Sequence, residues 1–195
     1  RCYMKYILYW IVRTLGYPIF LLLYRPEFEG RNNIPKSGSV ILAGNHTNNL
    51  DAAIMLAGPT RVVHMLAKKE LFKSKISNAF FRSMGCIPVD RKIHDENAKS
   101  EAIEVLKNNE VIGIFPEGTV NRTNDIILPF KYGAVSFAKK TGAYIVPFTI
   151  TGKYKLFRRS IKITYGKPYK VTNDLEIENK KLMNIITKML IKERS

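Results

Sequence analysis

The sequence predicts an α/β domain: one mostly parallel or mixed central sheet flanked by helices, preceded by a pair of apolar N-terminal helices. Three observations predict it. Short apolar runs alternate with longer stretches whose apolar residues recur at helical spacing, the pattern of strands joined through crossover helices. Several runs end in Asn-His, Asp-Arg or Pro-Glu-Gly, where polar groups gather at strand ends. The chain has 195 residues and is 46% hydrophobic, enough for one full-sized core.

The charge balance narrows the classes of partner. Lys and Arg number 32 against 16 Asp and Glu, a net charge of +16. Such a surplus implies a polyanionic partner: nucleic acid, an anionic membrane, a phosphorylated substrate or an acidic carrier protein. The basic residues are spread along the chain, so charge alone does not choose. Two cysteines, Cys2 and Cys86, make no disulfide framework and fit a reducing compartment. No internal repeat, low-complexity segment, metal-ligand cluster or Gly-rich nucleotide loop is present.

Tyr3 to Tyr24 is strongly apolar and barely long enough to cross a bilayer. Arg13 sits at its middle, where a charge is costly in hydrocarbon. Gly16 and Pro18 are expected to break it into two short helices. Tyr3, Tyr6, Tyr9, Trp10, Tyr17 and Tyr24 suit a membrane interface. Residues 1–24 are therefore expected to be a monotopic anchor lying in one leaflet, with a core helix pair as the alternative. No cleavage site marks a signal peptide. Residues 25–195 form the α/β domain.

Pro26, Gly30, Pro35 and Gly38 mark a connector, with a short strand at Glu27–Glu29. Val40–Gly44 is the first core strand, and Leu50 to Ala57 is an amphipathic helix closed by Gly58-Pro59-Thr60. Val62 to Ala67 is the next strand, with His64 inside it. Lys68 to Met84 reads as one amphipathic helix with a basic face, either solvated or a surface for anionic lipid or carrier. Gly85 to Arg91 is a short strand ending in Asp-Arg, and Asp95 to Asn109 is a helix. Val111 to Phe115 is a buried strand running into Pro116-Glu117-Gly118-Thr119. Pro129 to Gly133 opens a helix through Lys140, closed by Gly142. Ala143–Ile150, holding Pro147, and Ser160–Tyr165 are strands. Asn173 or Asp174 caps a last helix, Leu175 to Lys192.

The stretch Asn45-His46-Thr47-Asn48-Asn49-Leu50-Asp51 joins the first core strand to its helix. Positions i and i+5 do not share a helix face. With His46 in the turn and Asp51 in the first helical turn, however, the carboxylate can curl back to the imidazole. Such a pair makes a base, since Asp fixes the tautomer and leaves the other ring nitrogen to take a proton. At later strand ends lie Arg91, whose planar fork suits phosphate, and Glu117, held out in a tight turn. Thr119 and Arg122 add phosphate donors. Lys131 adds positive charge at a helix start, where anions collect.

Four stretches, in this order over residues 40–150, resemble one family, the glycerophospholipid acyltransferases. His46 through Asp51 resembles its His-four-residues-Asp signature, Gly85 through Arg91 its second block, Phe115 through Thr119 its third, and Val146-Pro147-Phe148 its fourth. The apolar N-terminus resembles the family's membrane-embedded helix pair. One departure is Val120, where members often carry Arg directly after Glu-Gly-Thr. Arg122 follows two positions later and is expected to supply that contact, or else the contact is absent.

The resemblance implies transfer of a fatty acyl group from a thioester to the free hydroxyl of lysophosphatidic acid, giving phosphatidic acid. It implies that His46 takes the hydroxyl proton and that Asp51 orients it. The alcohol attacks directly, with no acyl-enzyme. Arg91 and Arg122 hold the phosphate, and Glu117 positions the glycerol, beside Gly118 and Thr119 of the same block. No cofactor is expected, only a co-substrate, acyl-CoA or acyl-carrier protein. The expected partners are the anionic membrane surface, lysophosphatidic acid and the acyl donor, not nucleic acid. The expected location is the cytoplasmic face of the cell membrane, monotopic or peripheral. Alternatives are glycerol 3-phosphate or another lysophospholipid as acceptor, or a basic peripheral membrane-binding or nucleic-acid-binding module. Acid–base residues at strand ends argue against the modules.

Overall fold

In the computed structural model, residues 7–90, 93 and 95–194 are described. Seven strands form one mixed sheet: β1 (Glu27–Glu29), β2 (Val40–Gly44), β3 (Val63–Lys68), β4 (Ile87–Val89), β5 (Val111–Ile114), β6 (Tyr144–Gly152) and β7 (Ile161–Tyr165). Their order across the sheet is β1-β7-β6-β2-β5-β3-β4. Only β6 and β7 pair antiparallel; the other neighbours are parallel. The strand order puts β2 between β5 and β6, so the ends of β2 and β5 lie side by side.

Among the described residues there are six helices, most of them packed on the sheet: α1 (Ile7–Tyr24), α2 (Asp51–Ala57), α3 (Lys75–Ser83), α4 (Glu96–Lys107), α5 (Gly133–Thr141) and α6 (Leu175–Arg194). The period-two alternation of β2 separates two cores. Val40 and Leu42 pack with Tyr9, Ile54 and Met55, under α1 and α2. Ile41 and Ala43 pack with Ala102, Leu106, Val135 and Leu182, under α4, α5 and α6. Side chains such as Leu42, Ile54 and Leu106 have no exposed surface, and each fully buried side chain of this kind contributes ~1.5–3 kcal/mol.

Two local expectations are corrected. The apolar N-terminal stretch is not a helix pair over its described part: Ile7–Tyr24 is one helix with Pro18 inside it. Proline removes a single intrahelical donor there, while Tyr9 and Val12 before it and Phe20 after it all pack on the same core. The Arg13 guanidinium donates to Leu56 O at 3.3 Å, so the charge is turned inward to the domain. The stretch Lys68–Met84 is not one helix either. A 3-10 turn, Lys69–Phe72, precedes α3, and a capping box between Ser74 and Ser77 starts the helix afresh.

His64 lies within β3 as expected and is 3% exposed. Its Nδ1 is 2.9 Å from Gly85 O and its Nε2 is 2.8 Å from Glu110. Cys86 is a buried free thiol.

Candidate active site

The site begins where β2 runs out. Gly44 ends the strand because Phe148 of β6 crosses it; a Cβ there would stand 2.5 Å from the Phe148 ring. Beyond Gly44 the main chain turns away, but the ladder goes on through a side chain. The Asn45 amide donates to Ile150 O at 2.9 Å and its Oδ1 accepts from Ile150 N at 2.8 Å. A buried asparagine thus supplies the bonds of one more strand residue while the backbone is released to form a loop.

That loop wraps around the Asp51 carboxylate. Asp51 opens α2 and is fully buried. Its Oδ2 accepts from Thr47 N at 2.5 Å and from Asn48 N at 2.8 Å, and lies 3.0 Å from His46 Nδ1. Its Oδ1 accepts from the Tyr154 hydroxyl at 2.7 Å. A buried carboxylate is costly unless its lone pairs are filled; here four donors fill them. With Nδ1–H given to Asp51, the tautomer is set and Nε2 is the nitrogen left to act as base.

The neighbouring strand end grips His46 from the other side. Glu117, 5% exposed, follows the end of β5. Its Oε1 accepts from His46 N and its Oε2 from Leu128 N, each at 2.7 Å. Asn121 N donates to His46 O, also at 2.7 Å. Burial pushes the Glu117 carboxyl above its usual value, and the Asp51 charge adds to this, against the pull of the two backbone donors and of His46. The Phe115 ring stacks on the imidazole, centroids 4.0 Å apart and planes 9° from parallel. The histidine is thus held at its backbone N–H, its carbonyl, its Nδ1 and its ring face.

Burial and the adjoining Asp51 charge push the Tyr154 phenol well above its ordinary value. It remains a donor throughout the neutral and moderately alkaline range.

A cavity of about 380 Å³ opens at His46. Leu66, Val89, Ile114, Phe115 and Phe137 supply apolar walls, and Gly118, Lys131, Lys99, Asp90 and Asp95 also stand in its lining. Gly118 has a φ of +71°, and a Cβ on it would stand 2.9 Å from the Lys131 chain. Lys131 lies in the turn before α5, and its N–H donates to Pro116 O at 2.9 Å.

Of the residues expected at the site, His46, Asp51 and Glu117 come together, with Gly118 and Lys131 along the cavity. Thr119 and Arg122 are exposed and outside its lining. Arg91 lies outside the described residues. Three contributors escaped the sequence reading: Asn45, Phe115 and Tyr154. Phe115 reads as the apolar end of a strand and the first residue of the third block, with no role of its own. Tyr154 follows Asp51 by 103 positions and has no spacing signal.

An oriented imidazole beside a largely apolar cavity, with Lys131 near Gly118 in its lining, can take a proton from a hydroxyl of an amphiphile. A family model described as Acyltransferase matches residues 25–151. The 1-acyl-sn-glycerol-3-phosphate acyltransferase of Borreliella burgdorferi is 37% identical over 139 residues, covering 70% of this chain and 55% of the relative. The chain thus aligns with about half the length of that protein. The enzyme of the same description from Bacillus subtilis is 30% identical over 166 residues, covering 82% of this chain and 81% of the relative. The solved structure of a 1-acyl-sn-glycerophosphate (LPA) acyltransferase from Thermotoga maritima matches with a TM-score of 0.79 over 98% of this chain and 81% of that one, at 23% identity. At that identity the likeness is one of fold.

Proposed function

Because this chain belongs to the acyltransferase family, we propose that it moves a fatty acyl group from a thioester to the free hydroxyl of lysophosphatidic acid, making phosphatidic acid for phospholipid synthesis. The carrying observation is the His46–Asp51 contact of 3.0 Å, with His46 in the lining of a largely apolar cavity. An alcohol is a weak nucleophile at neutral pH and needs a base. His46 Nε2 takes the hydroxyl proton as the oxygen attacks the thioester carbonyl. Asp51 stabilises the imidazolium that forms, and the thiolate leaves with the proton returned from His46. No covalent enzyme intermediate is needed.

The cavity walls suit an acyl chain. Lys131 suits the acceptor phosphate, and Arg91 and Arg122 are the family-implied cations for it. Glu117, with both oxygens on backbone donors, serves by holding His46 in place. The donor is acyl-CoA or acyl-carrier protein, and no further cofactor is invoked.

The helix α1 supports a place at the bilayer. Ile7, Ile11, Leu15, Ile19 and Leu22 are exposed at 53, 47, 65, 58 and 67%, at spacings of four and three that make one outer stripe. The opposite face packs on the domain. A helix with one face on its own protein and the other largely exposed among the described residues fits a leaflet surface better than a crossing; the cytoplasmic side is taken from the family resemblance.

The test is a competition assay with one acyl thioester and both lysophosphatidic acid and glycerol 3-phosphate. Phosphatidic acid as the main product is expected. Preferred acylation of glycerol 3-phosphate would move the acceptor assignment, and absence of any acyl transfer would end the reading.

A further inference from the structure

The connection between β6 and β7 has no part in the chemistry above except through Tyr154. Residues 153–159 read Lys-Tyr-Lys-Leu-Phe-Arg-Arg, four cations and no acid. Lys153, Lys155, Arg158 and Arg159 are all exposed. Between them Leu156 and Phe157 are 56% and 62% exposed. Phe157 also holds a φ of 59°, a region that bulky L residues seldom enter. An aromatic that is more than half exposed and held in a costly backbone conformation points to an external apolar contact.

The loop is fastened at one place. Phe157 N–H donates to Leu23 O at 2.5 Å, and the Tyr154 ring meets Tyr24 edge-on at 5.6 Å. Leu23 and Tyr24 close α1, just past Leu22, the last residue of its bare apolar stripe. The loop tip therefore extends that stripe and adds to it the positive charge that the helix lacks there.

We propose that this loop tip docks on the surface of an anionic lipid bilayer, with Leu156 and Phe157 entering the headgroup boundary and the four cations meeting lipid phosphates. Apolar area and charge act together in such binding. The proposal rests on the reading that the acceptor is a bilayer-borne lysolipid. It also gives Tyr154 a place between the membrane and the reaction: two residues before Leu156, the same loop reaches Asp51.

The chain has a single tryptophan, Trp10. The full chain carrying Trp10→Phe and Phe157→Trp therefore has one reporter, at the tip. With vesicles of phosphatidylglycerol and phosphatidylcholine carrying brominated acyl chains, its emission is expected to shift to the blue and be quenched, less so in pure phosphatidylcholine. If Trp10→Phe impairs folding, Phe157→Trp alone, read as a difference from the parent, makes the same measurement. Unquenched tip emission on protein that sediments with the vesicles overturns the proposal. So does protection of the tip by an acidic acyl-carrier protein without bromine quenching, which would assign the loop to the donor. Leu156→Glu with Phe157→Glu is expected to keep turnover of a micelle-free short-chain lysolipid and to lose several-fold on vesicle-borne lysolipid. Equal turnover on both also overturns it. Failure of the parent to acylate the short-chain lysolipid would instead refute the enzymatic reading, and the bromine quench reads the docking independently of it.

Discussion

Tyr154 donates its phenolic hydrogen to Asp51 Oδ1 at 2.7 Å, from a loop 103 positions further along the chain. The other oxygen of the same carboxylate holds His46. The tyrosine thus acts on the base through Asp51 and is a positioning residue. A hydrogen bond to a charged group contributes ~1.5–3 kcal/mol. Tyr154→Phe is therefore expected to lower kcat by roughly 10- to 100-fold with KM for both substrates little changed. A raised KM at unchanged kcat would mean that Tyr154 binds substrate instead.

His46→Ala removes the proposed base. A positioned general base is worth ~10²–10⁴-fold, so turnover should drop by that factor while thermal stability stays near that of the parent. Turnover within a few-fold of the parent would refute the mechanism.

Glu117→Gln replaces one of two accepting oxygens with an amide that donates. Either His46 N–H or Leu128 N–H then loses its partner. A buried donor left unpaired costs ~1–3 kcal/mol, to be read from the urea midpoint. Because His46 is one of the two, kcat should fall as well. Unchanged stability with a raised acceptor KM would show Glu117 to act on the substrate and not on the loop.

Lys131 is exposed in the cavity lining. Exposed ion pairs are worth ~0.2–1 kcal/mol, so Lys131→Gln should raise KM for the phosphorylated acceptor by up to roughly five-fold. The effect should shrink with added salt. An equal effect on a neutral acceptor would remove Lys131 from the phosphate.

Alkaline pH should destabilise the fold. Burial pushes the Cys86 thiol up to about 11 and the Tyr165 and Tyr169 phenols above their ordinary value. Between the unfolded and folded values the unfolded chain has released protons that the folded chain still holds, so stability falls as pH rises. It should be complete below pH ~8.5, where unfolded cysteine begins to ionise, and fall more steeply above ~10, where unfolded tyrosine does. Urea midpoints from pH 7 to 11 measure this; Tyr165→Phe should flatten the upper part. A midpoint constant to pH 11 would contradict it.

Much of this architecture is written locally. Val40–Gly44 and Val111–Ile114 are strands because short apolar runs end in residues that turn the chain. The final helix follows from its spaced Leu182, Ile186 and Leu190, all buried. The His46–Asp51 pair is legible for the same reason, since both partners lie within one loop and helix start. Other features depend on what lies across space. Whether Ile7–Tyr24 breaks at Pro18 depends on the surface beneath it. The position of β5 beside β2 brings Glu117 and Phe115 to His46, and β6 brings Ile150 to Asn45 and leads to Tyr154 at Asp51. Spacing along a chain encodes periodicity and turns, because those are interactions among near neighbours. Contacts between residues a hundred positions apart leave no local period, and they arise only when the sheet order assembles the strand ends.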